Sequence, residues 1–334
     1  MIVPKKRLFV LDAMRGLSVL AVILYHYTYR YYELYSHKDH LFFNFYDGKY
    51  GVQSFFIISG FVIFMSLNRI TKAKDFVIHR FIRLYPTFWF SVIFTFIFVY
   101  IFGLPGREVS WKDMLLNLTM LAGQFNIKNV DGVYWTLLYE LKFYFWIYIL
   151  YLMNKIKDID NILIFYLLVL LLSIFLEIDN FYIYKILNQL FIFDFMPYFI
   201  SGIVFYKIFM GERNLKLYLI LLLAFLSGFC LNNYDNAYVL FIIYTIFILL
   251  SLHKLSWLSF KPLIFIGSIS YSLYLIHQNI GYIILNSGFF FNVSPILSTT
   301  IAIITSIFLA TLITYYIEKP SMKFLKNRLN NSGL

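Results

Sequence analysis

Ten apolar segments, each about as long as a bilayer is thick, constrain the fold of this 334-residue chain more than any other feature. A membrane-spanning helix needs about 20 mainly apolar residues, because its backbone polar groups must be satisfied within the segment itself. Only 13% of the residues are charged, whereas soluble domains have about 25%. We therefore predict an all-α, polytopic membrane helix bundle. The ten predicted spans are Leu11–Tyr29, Gly51–Leu67, Leu84–Leu104, Val133–Met153, Asn161–Leu176, Ile186–Phe209, Leu215–Leu231, Ala237–Leu252, Leu263–Leu285 and Pro295–Ile317.

The segments follow one another without a linker, so residues 1–334 are predicted to form a single transmembrane domain. Trp111–Gly123 is amphipathic but too short to cross, and we place it at the membrane surface or as a re-entrant element. With a cytoplasmic N-terminus, the inner segments hold 19 Lys and Arg residues against 7 in the outer segments. This bias predicts that both termini are cytoplasmic.

The basic N-terminus precedes an apolar run that Asp12 and Arg15 interrupt, and no small-residue cleavage site follows. We expect a retained first helix rather than a signal peptide, in a multi-pass protein of the cytoplasmic (inner) membrane. The net charge of +11 lies in short clusters between apolar runs, which is typical of topological anchors and not of nucleic-acid binding. The single cysteine, Cys230, excludes a disulfide framework, and we predict no metal site.

The first span carries three ionisable residues, which are costly in a membrane and therefore indicate a site or pathway. Asp12 and Arg15 are three residues apart, so they lie on one helical face and can pair. His26 follows Arg15 by eleven residues, which returns to within about 20° of the same direction. An imidazole can act as a general base or a nucleophile, although a histidine bonded to a neighbouring helix remains the alternative.

Arg80 and Arg83 lead into the third span, where two arginines at i and i+3 can bind phosphates from the cytoplasm. The alternative is an ordinary positive-inside anchor. Glu140 lies within the fourth span and is suited to orienting a sugar hydroxyl or pairing with a histidine. Pairing with Lys142 is poor, because the two residues are about 200° apart on a helix.

His277 is a further intramembrane candidate, with Tyr271 and Tyr274 on nearby faces. The alternative is that His277 only joins helices by hydrogen bonds. Glu318 is expected to be a structural partner for a loop arginine. Phosphate-loop, zinc-protease and nucleophile-elbow motifs are absent.

Several blocks in order over nearly the whole chain resemble the membrane acyltransferase-3 family. They are Leu11–Gly16 with Tyr25 and His26, Gly51–Phe61, Arg80–Pro86, Trp135–Glu140 with Phe143 and Tyr144, Ser270–His277, and Ile317–Pro320. The resemblance implies ten helices and transfer of an acyl group, commonly acetyl from acetyl-CoA, onto extracytoplasmic carbohydrate. It also implies a stand-alone type, without the fused esterase-like domain of some relatives.

By this resemblance His26 is the catalytic residue and the pair Arg80 and Arg83 serves donor use. We add Glu140 as a catalytic candidate, Arg15 as a donor contact, and a supporting group. The supporting group is Asp12, Ser59, Tyr271 and His277. Lys319 stands where many relatives have arginine, which is a minor departure. Gln53 stands where relatives often have an aspartate, and this departure concerns the acceptor.

The sequence thus predicts a membrane O-acyltransferase whose donor substrate is acetyl-CoA and whose acceptor is a glycan or lipid-linked sugar. Its partners are these substrates and the lipid bilayer, with a homo-oligomer left open and no permanently bound cofactor. His26 either deprotonates the acceptor hydroxyl or accepts the acyl group transiently. The rival functions are a transporter or flippase and a purely structural membrane protein. An inverted repeat or paired broken helices would favour transport, and the sequence shows neither.

Overall fold

A computed structural model describes residues 8–35, 43–67, 70, 72–177, 181–231, 237–287 and 293–331. Within these ranges the chain is all-helical, without a strand, which confirms the predicted fold class. The α-helices are α1 (Phe9–Tyr25), α2 (Tyr31–Tyr35), α3 (Gly51–Leu67), α4 (Ala73–Phe102), α5 (Trp111–Asn117), α6 (Trp135–Leu152), α7 (Ile159–Phe175), α8 (Tyr182–Phe191), α9 (Met196–Phe209), α10 (Leu215–Leu231), α11 (Ala237–Ser251), α12 (Lys261–Ser268), α13 (Ser270–Asn286), α14 (Pro295–Ile313) and α15 (Lys319–Asn331).

Six helical segments of the described chain are long and apolar enough to cross a membrane. They are Phe9–Tyr35, Tyr46–Leu67, Ala73–Phe102, Lys155–Phe175, Tyr184–Phe209 and Pro295–Leu329. Two shorter apolar helices, α10 and α11, coincide with predicted spans. The two remaining predicted spans, the fourth and the ninth, fall on α6 and on α12 with α13. All ten predicted segments are therefore helical, while ten crossings and the orientation of the termini stay predictions.

Some residues that carry the predicted orientation are not placed. Lys5, Lys6, Arg7, Lys38 and Arg69 lie outside the described residues. The third predicted span begins earlier than expected, because α4 starts at Ala73 and runs through Pro86. Arg80 and Arg83 therefore lie on the helix that continues into the third span.

Two predicted spans are interrupted. The sixth span divides into α8 and α9, with Ile192 in the left-handed region at φ 53°. The break leaves the last three backbone carbonyls of α8 without helical partners. Side chains of neighbouring helices donate hydrogen bonds to them and so stabilise the break. The bonds run from Lys142, Trp146 and Tyr166 to the carbonyls of Gln189, Leu190 and Phe191. The ninth span divides at Ile269 into α12 and α13.

The chain divides into two compact units. Unit 1 comprises Met1–Arg15, Tyr50–Phe76 and Tyr139–Lys261, and unit 2 comprises Gly16–Lys49, Val77–Leu138 and Pro262–Leu334. Within unit 1, α3 packs closely on α9. A Cβ on Gly60 would overlap the carbonyl oxygen of Phe199, and one on Gly202 would overlap that of Ile57. Small residues thus permit the close helix approach that membrane packing favours. A single transmembrane domain stays a prediction.

Within unit 2, α13 packs on α14 and on a π-helical turn, His26–Arg30, that follows α1. A second π-helical turn, Thr314–Glu318, follows α14. The segment predicted as a surface or re-entrant element forms α5 and a 3-10 turn, Ala122–Phe125. Buried Asn117 donates to the carbonyl of Lys128 and accepts from the backbone N–H of Val130. These bonds hold the chain that leads to α6.

Candidate active site

His26 is the first residue of the π-helical turn that follows α1. The α-helical register holds up to Tyr25, and His26, Tyr27 and Thr28 are all buried. Single π-turns within long helices are frequent at functional sites, because they change the direction of side chains at some cost in backbone hydrogen bonding. The turn thus sets the direction of the imidazole that the sequence singles out.

The side chain that meets His26 is His277, from the middle of α13. His26 Nδ1 and His277 Nε2 are 3.1 Å apart, and the two rings lie within 19° of parallel. His277 is fully buried and His26 is only 9% exposed. The structure therefore brings together two histidines that the sequence indicates as separate candidates, and it removes them from water.

Tyr27 fixes the two histidine-bearing segments to each other. Its hydroxyl donates to the backbone carbonyl of His277 at 2.6 Å and lies 2.8 Å from the hydroxyl of Ser306 on α14. Gly281, one turn after His277, leaves room for the Tyr27 ring, and a Cβ there would overlap that ring. Tyr27, the residue next to His26, is thereby held by hydrogen bonds to both α13 and α14.

A buried carboxylate that the sequence analysis misses contacts α13, the helix that carries His277. Asp131 is 0% exposed and accepts from the backbone N–H groups of Asn279, at 3.0 Å, and Val133, at 3.2 Å. Burial raises the pKa of Asp131 to about 6, although these two N–H groups and Arg107 act in the opposite direction. An acid directly before a predicted span is the signal that would have indicated it.

Arg107 is the second residue that the sequence analysis misses. Its guanidinium lies 5.6 Å from the ring centroid of Tyr282. Gly132 packs against it, since a Cβ on Gly132 would lie 2.8 Å from Arg107 Nη1 and would overlap Gln278. Loop arginines outside a span are usually assigned to topology, so the sequence alone gives no sharper signal for Arg107.

Arg83 pairs with Glu318 in a second polar cluster of unit 2. Arg83 Nη1 lies 3.0 Å from one carboxylate oxygen of Glu318, and Ser272 donates to the other at 2.9 Å. Glu318 was expected to pair with a loop arginine, and its partner is instead an arginine on α4. Tyr271 donates to the carbonyl of Leu84 at 2.9 Å, so it joins two helices.

Glu140 has its hydrogen bonds within unit 1. Ser59 donates to Glu140 Oε1 at 2.6 Å, and Tyr144 donates to the same oxygen. Lys142 donates instead to the carbonyl of Gln189, which agrees with its predicted poor geometry for Glu140. The structure thus brings together two predicted site residues, Ser59 and Glu140.

Asp12 and Arg15 also belong to unit 1, and Arg15 Nη1 lies 3.4 Å from Asp12 Oδ1. The predicted pairing across one helical turn is confirmed. Arg80 lies one turn before Arg83 on α4. Among the described residues, no three His, Cys, Asp or Glu side chains lie close enough to hold a metal ion.

A family model described as an acyltransferase domain covers residues 9–315, which is nearly the whole chain and includes every candidate site residue except Glu318. Comparison with curated proteins and with solved structures gave no match. The sequence resemblance is thereby confirmed at the level of the family.

Proposed function

Because this chain belongs to the membrane acyltransferase-3 family, we propose that it moves an acetyl group from acetyl-CoA to a hydroxyl of a surface glycan. The acceptor is extracytoplasmic or lipid-linked, and the protein acts in the cytoplasmic membrane. It is an integral multi-pass membrane acyltransferase. The identity of the donor, the identity of the acceptor and the location in the cytoplasmic membrane are the parts that we propose.

The observation that carries this proposal is the buried contact between His26 and His277. A general base needs a lone pair on a side chain of fixed orientation, in a site from which bulk water is excluded. His26 has both the burial and the hydrogen-bonded orientation. Among the predicted catalytic residues, it is the one whose surroundings best suit proton transfer.

In the proposed reaction, His26 takes the proton of the acceptor hydroxyl as its oxygen attacks the carbonyl carbon of the thioester. The carbon–sulfur bond then breaks, and the thiolate of CoA leaves with the proton that His26 returns. The same lone pair of His26 can instead take the acetyl group first and pass it to the acceptor. Both routes give the acetyl ester and free CoA.

The donor contacts of the proposal are cationic. Arg80 and Arg83 would bind the phosphates of CoA, with Arg15 as a further contact. Arg83 is engaged by Glu318, so a phosphate would share this arginine with a carboxylate. On the acceptor side we propose Glu140, whose carboxylate is oriented by Ser59 and Tyr144.

The test follows radiolabelled acetyl from acetyl-CoA to glycan in membrane vesicles that contain the wild-type chain or His26→Ala. The expected result is loss of transfer in the variant, by about 100-fold or more, since positioned bases contribute about 10²–10⁴. His253→Gln is the matched control, because His253 is an exposed histidine whose side chain contacts the carbonyl and the ring of Phe209. Undiminished transfer by His26→Ala would contradict the assignment.

The second route has its own readout. Without acceptor, the wild-type chain and acetyl-CoA would accumulate an acetyl label on His26 only if the acetyl group is first bound to the imidazole. A label that is absent after rapid quenching supports direct transfer. Mass spectrometry of surface glycans from cells with and without the protein would then identify the acceptor.

Transport of a lipid-linked glycan is the second candidate, and the interrupted sixth and ninth spans favour it. Broken helices form the substrate sites of many transporters. The discriminating measurement is movement of labelled glycan across vesicle membranes without acetyl-CoA. Movement that persists in His26→Ala vesicles would favour transport over acyl transfer.

A further inference from the structure

The hydrogen bonds of His277 determine which of its nitrogens carries the proton. Its Nδ1 lies 2.8 Å from the backbone carbonyl oxygen of Tyr274 and 3.2 Å from that of Leu273. A carbonyl oxygen only accepts hydrogen bonds, so Nδ1 of His277 must be the donor. In the neutral ring, the other nitrogen, Nε2, then has a lone pair.

This lone pair faces Nδ1 of His26 at 3.1 Å. An acceptor on His277 requires a donor on His26, so His26 Nδ1 carries a hydrogen and His26 Nε2 keeps its own lone pair. The opposite arrangement needs His277 to be doubly protonated in a site where it is fully buried. Such a charge is costly at a buried position.

We propose that His277 is a positioning residue that fixes His26 in the tautomer whose Nε2 is free to take a proton or an acyl group. This proposal rests on the proposed function, since it gives His26 the form that acyl transfer needs. His277 would act on the reaction only through His26. Its role is comparable to that of the third residue of a catalytic triad, which orients the histidine base.

The surrounding backbone keeps the two rings in this relationship. Tyr27, the residue after His26, donates to the backbone carbonyl of His277. Asp131 accepts from the backbone N–H of Asn279, two residues after His277. The two histidines are therefore joined by a hydrogen bond between their side chains. Hydrogen bonds to the backbone of His277 and of Asn279 hold the helix that carries His277 in place.

Two substitutions separate a hydrogen-bonding role from a packing role. His277→Phe keeps an aromatic ring of similar size but removes the acceptor, whereas His277→Gln places an amide oxygen near the position of Nε2. We expect His277→Phe to lower kcat by about 10- to 100-fold, as loss of groups that orient a ligand typically does. The KM for acetyl-CoA should change little, and His277→Gln should recover a large part of kcat.

The tautomer itself is measured by ¹⁵N NMR of the histidine-labelled, full-length protein in nanodiscs, with His26→Ala used to assign the His26 signals. The expected spectrum has a protonated Nδ1 and an unprotonated Nε2 on His26, and His277→Phe should change this distribution. His253→Gln is the control that should leave the His26 signals unchanged. Because wild-type protein is measured directly, the test does not depend on the folding of a variant.

Three outcomes would overturn the proposal. One is a protonated Nε2 on His26 in the wild-type protein, and another is equal loss of kcat in His277→Gln and His277→Phe. The third is an unchanged His26 tautomer in His277→Phe. Full transfer by His26→Ala would instead contradict the proposed function, and the NMR result would still report whether His277 sets the tautomer.

Discussion

The hydroxyl of Tyr27 donates to the backbone carbonyl of His277 across 250 positions of sequence, at 2.6 Å. The carbonyl only accepts, so the single hydrogen of Tyr27 goes to it and Ser306 donates to the Tyr27 oxygen. One side chain thereby satisfies two buried groups. The bond also connects the turn that carries His26 to the helix that carries His277.

Tyr27→Phe should weaken both stability and catalysis, because it keeps the ring but leaves these two groups without their partner. Loss of a partner for buried polar groups costs about 1–3 kcal/mol. We expect a lower thermal unfolding midpoint in nanodiscs and a several-fold lower kcat, measured by acetyl transfer. A variant with the stability of wild type and unchanged kcat would show that the bond has no part in orienting the pair.

Gly281→Ala should have a larger effect than its size suggests. A Cβ at this position overlaps the ring of Tyr27, which is fully buried. Overpacking of this kind costs about 1–3 kcal/mol, and it would also displace the segment next to His26. The expected result is a fall in both the unfolding midpoint and acetyl transfer.

Gly123→Ala is the matched control, because its Cβ would lie 3.6 Å from a Leu138 methyl group, an ordinary contact distance. We expect this variant to retain wild-type transfer. Equal losses in the two glycine variants would mean that neither effect depends on Tyr27.

Hydropathy correctly predicted those helices that begin and end where an apolar segment begins and ends. α3 and α10 match their predicted spans residue for residue. The break between α8 and α9 was not predictable in this way, since side chains from α6 and α7 satisfy the carbonyls at the end of α8. Those contacts depend on tertiary packing, which a window along the sequence does not contain.

The same distinction applies to the candidate site. Asp12 and Arg15 were predicted to pair because helical geometry alone brings residues three apart together. His26 and His277 were each predicted as unusual residues in apolar segments, but their contact joins positions 251 apart. Asp131 and Arg107 lie in segments between spans, where the rule that ionisable residues are costly in a membrane gives no signal.

The pair of Arg83 and Glu318 permits a test that separates donor binding from stability. Arg83→Met leaves the carboxylate of Glu318, 4% exposed, without its cation. Breaking a fully buried pair costs about 3–5 kcal/mol, and we expect less here because the Arg83 side chain is 38% exposed. The unfolding midpoint should therefore fall, and the KM for acetyl-CoA should rise.

Arg83→Met combined with Glu318→Gln should recover stability, since no uncompensated charge remains buried. The KM for acetyl-CoA should stay raised, by about 10-fold, because the phosphate contact is still missing. Recovery of KM together with stability would show that Arg83 acts only as a structural partner of Glu318 and does not bind the donor.

Asp131 predicts a pH dependence of stability whose sign follows from its burial. Its pKa is raised to about 6 from 3.8, so between these values the folded protein binds a proton that the unfolded chain has released. Stability contributed by this group therefore falls as pH rises from about 4 to about 6 and stays constant above. At about 1.4 kcal/mol for each pH unit, the fall is at most about 3 kcal/mol.

Asp131→Asn removes this titration, although it also alters the bonds to Asn279 and Val133 by an amount that does not change with pH. The measurement is the thermal unfolding midpoint of both proteins in nanodiscs, from pH 4 to pH 8. Wild type should lose stability relative to the variant as pH rises to about 6, and the difference should be flat from there to pH 8. A difference that is flat from pH 4 would mean that Asp131 is ionised throughout. Its carboxylate would then be a permanent buried charge that accepts from the N–H of Asn279, two residues after His277.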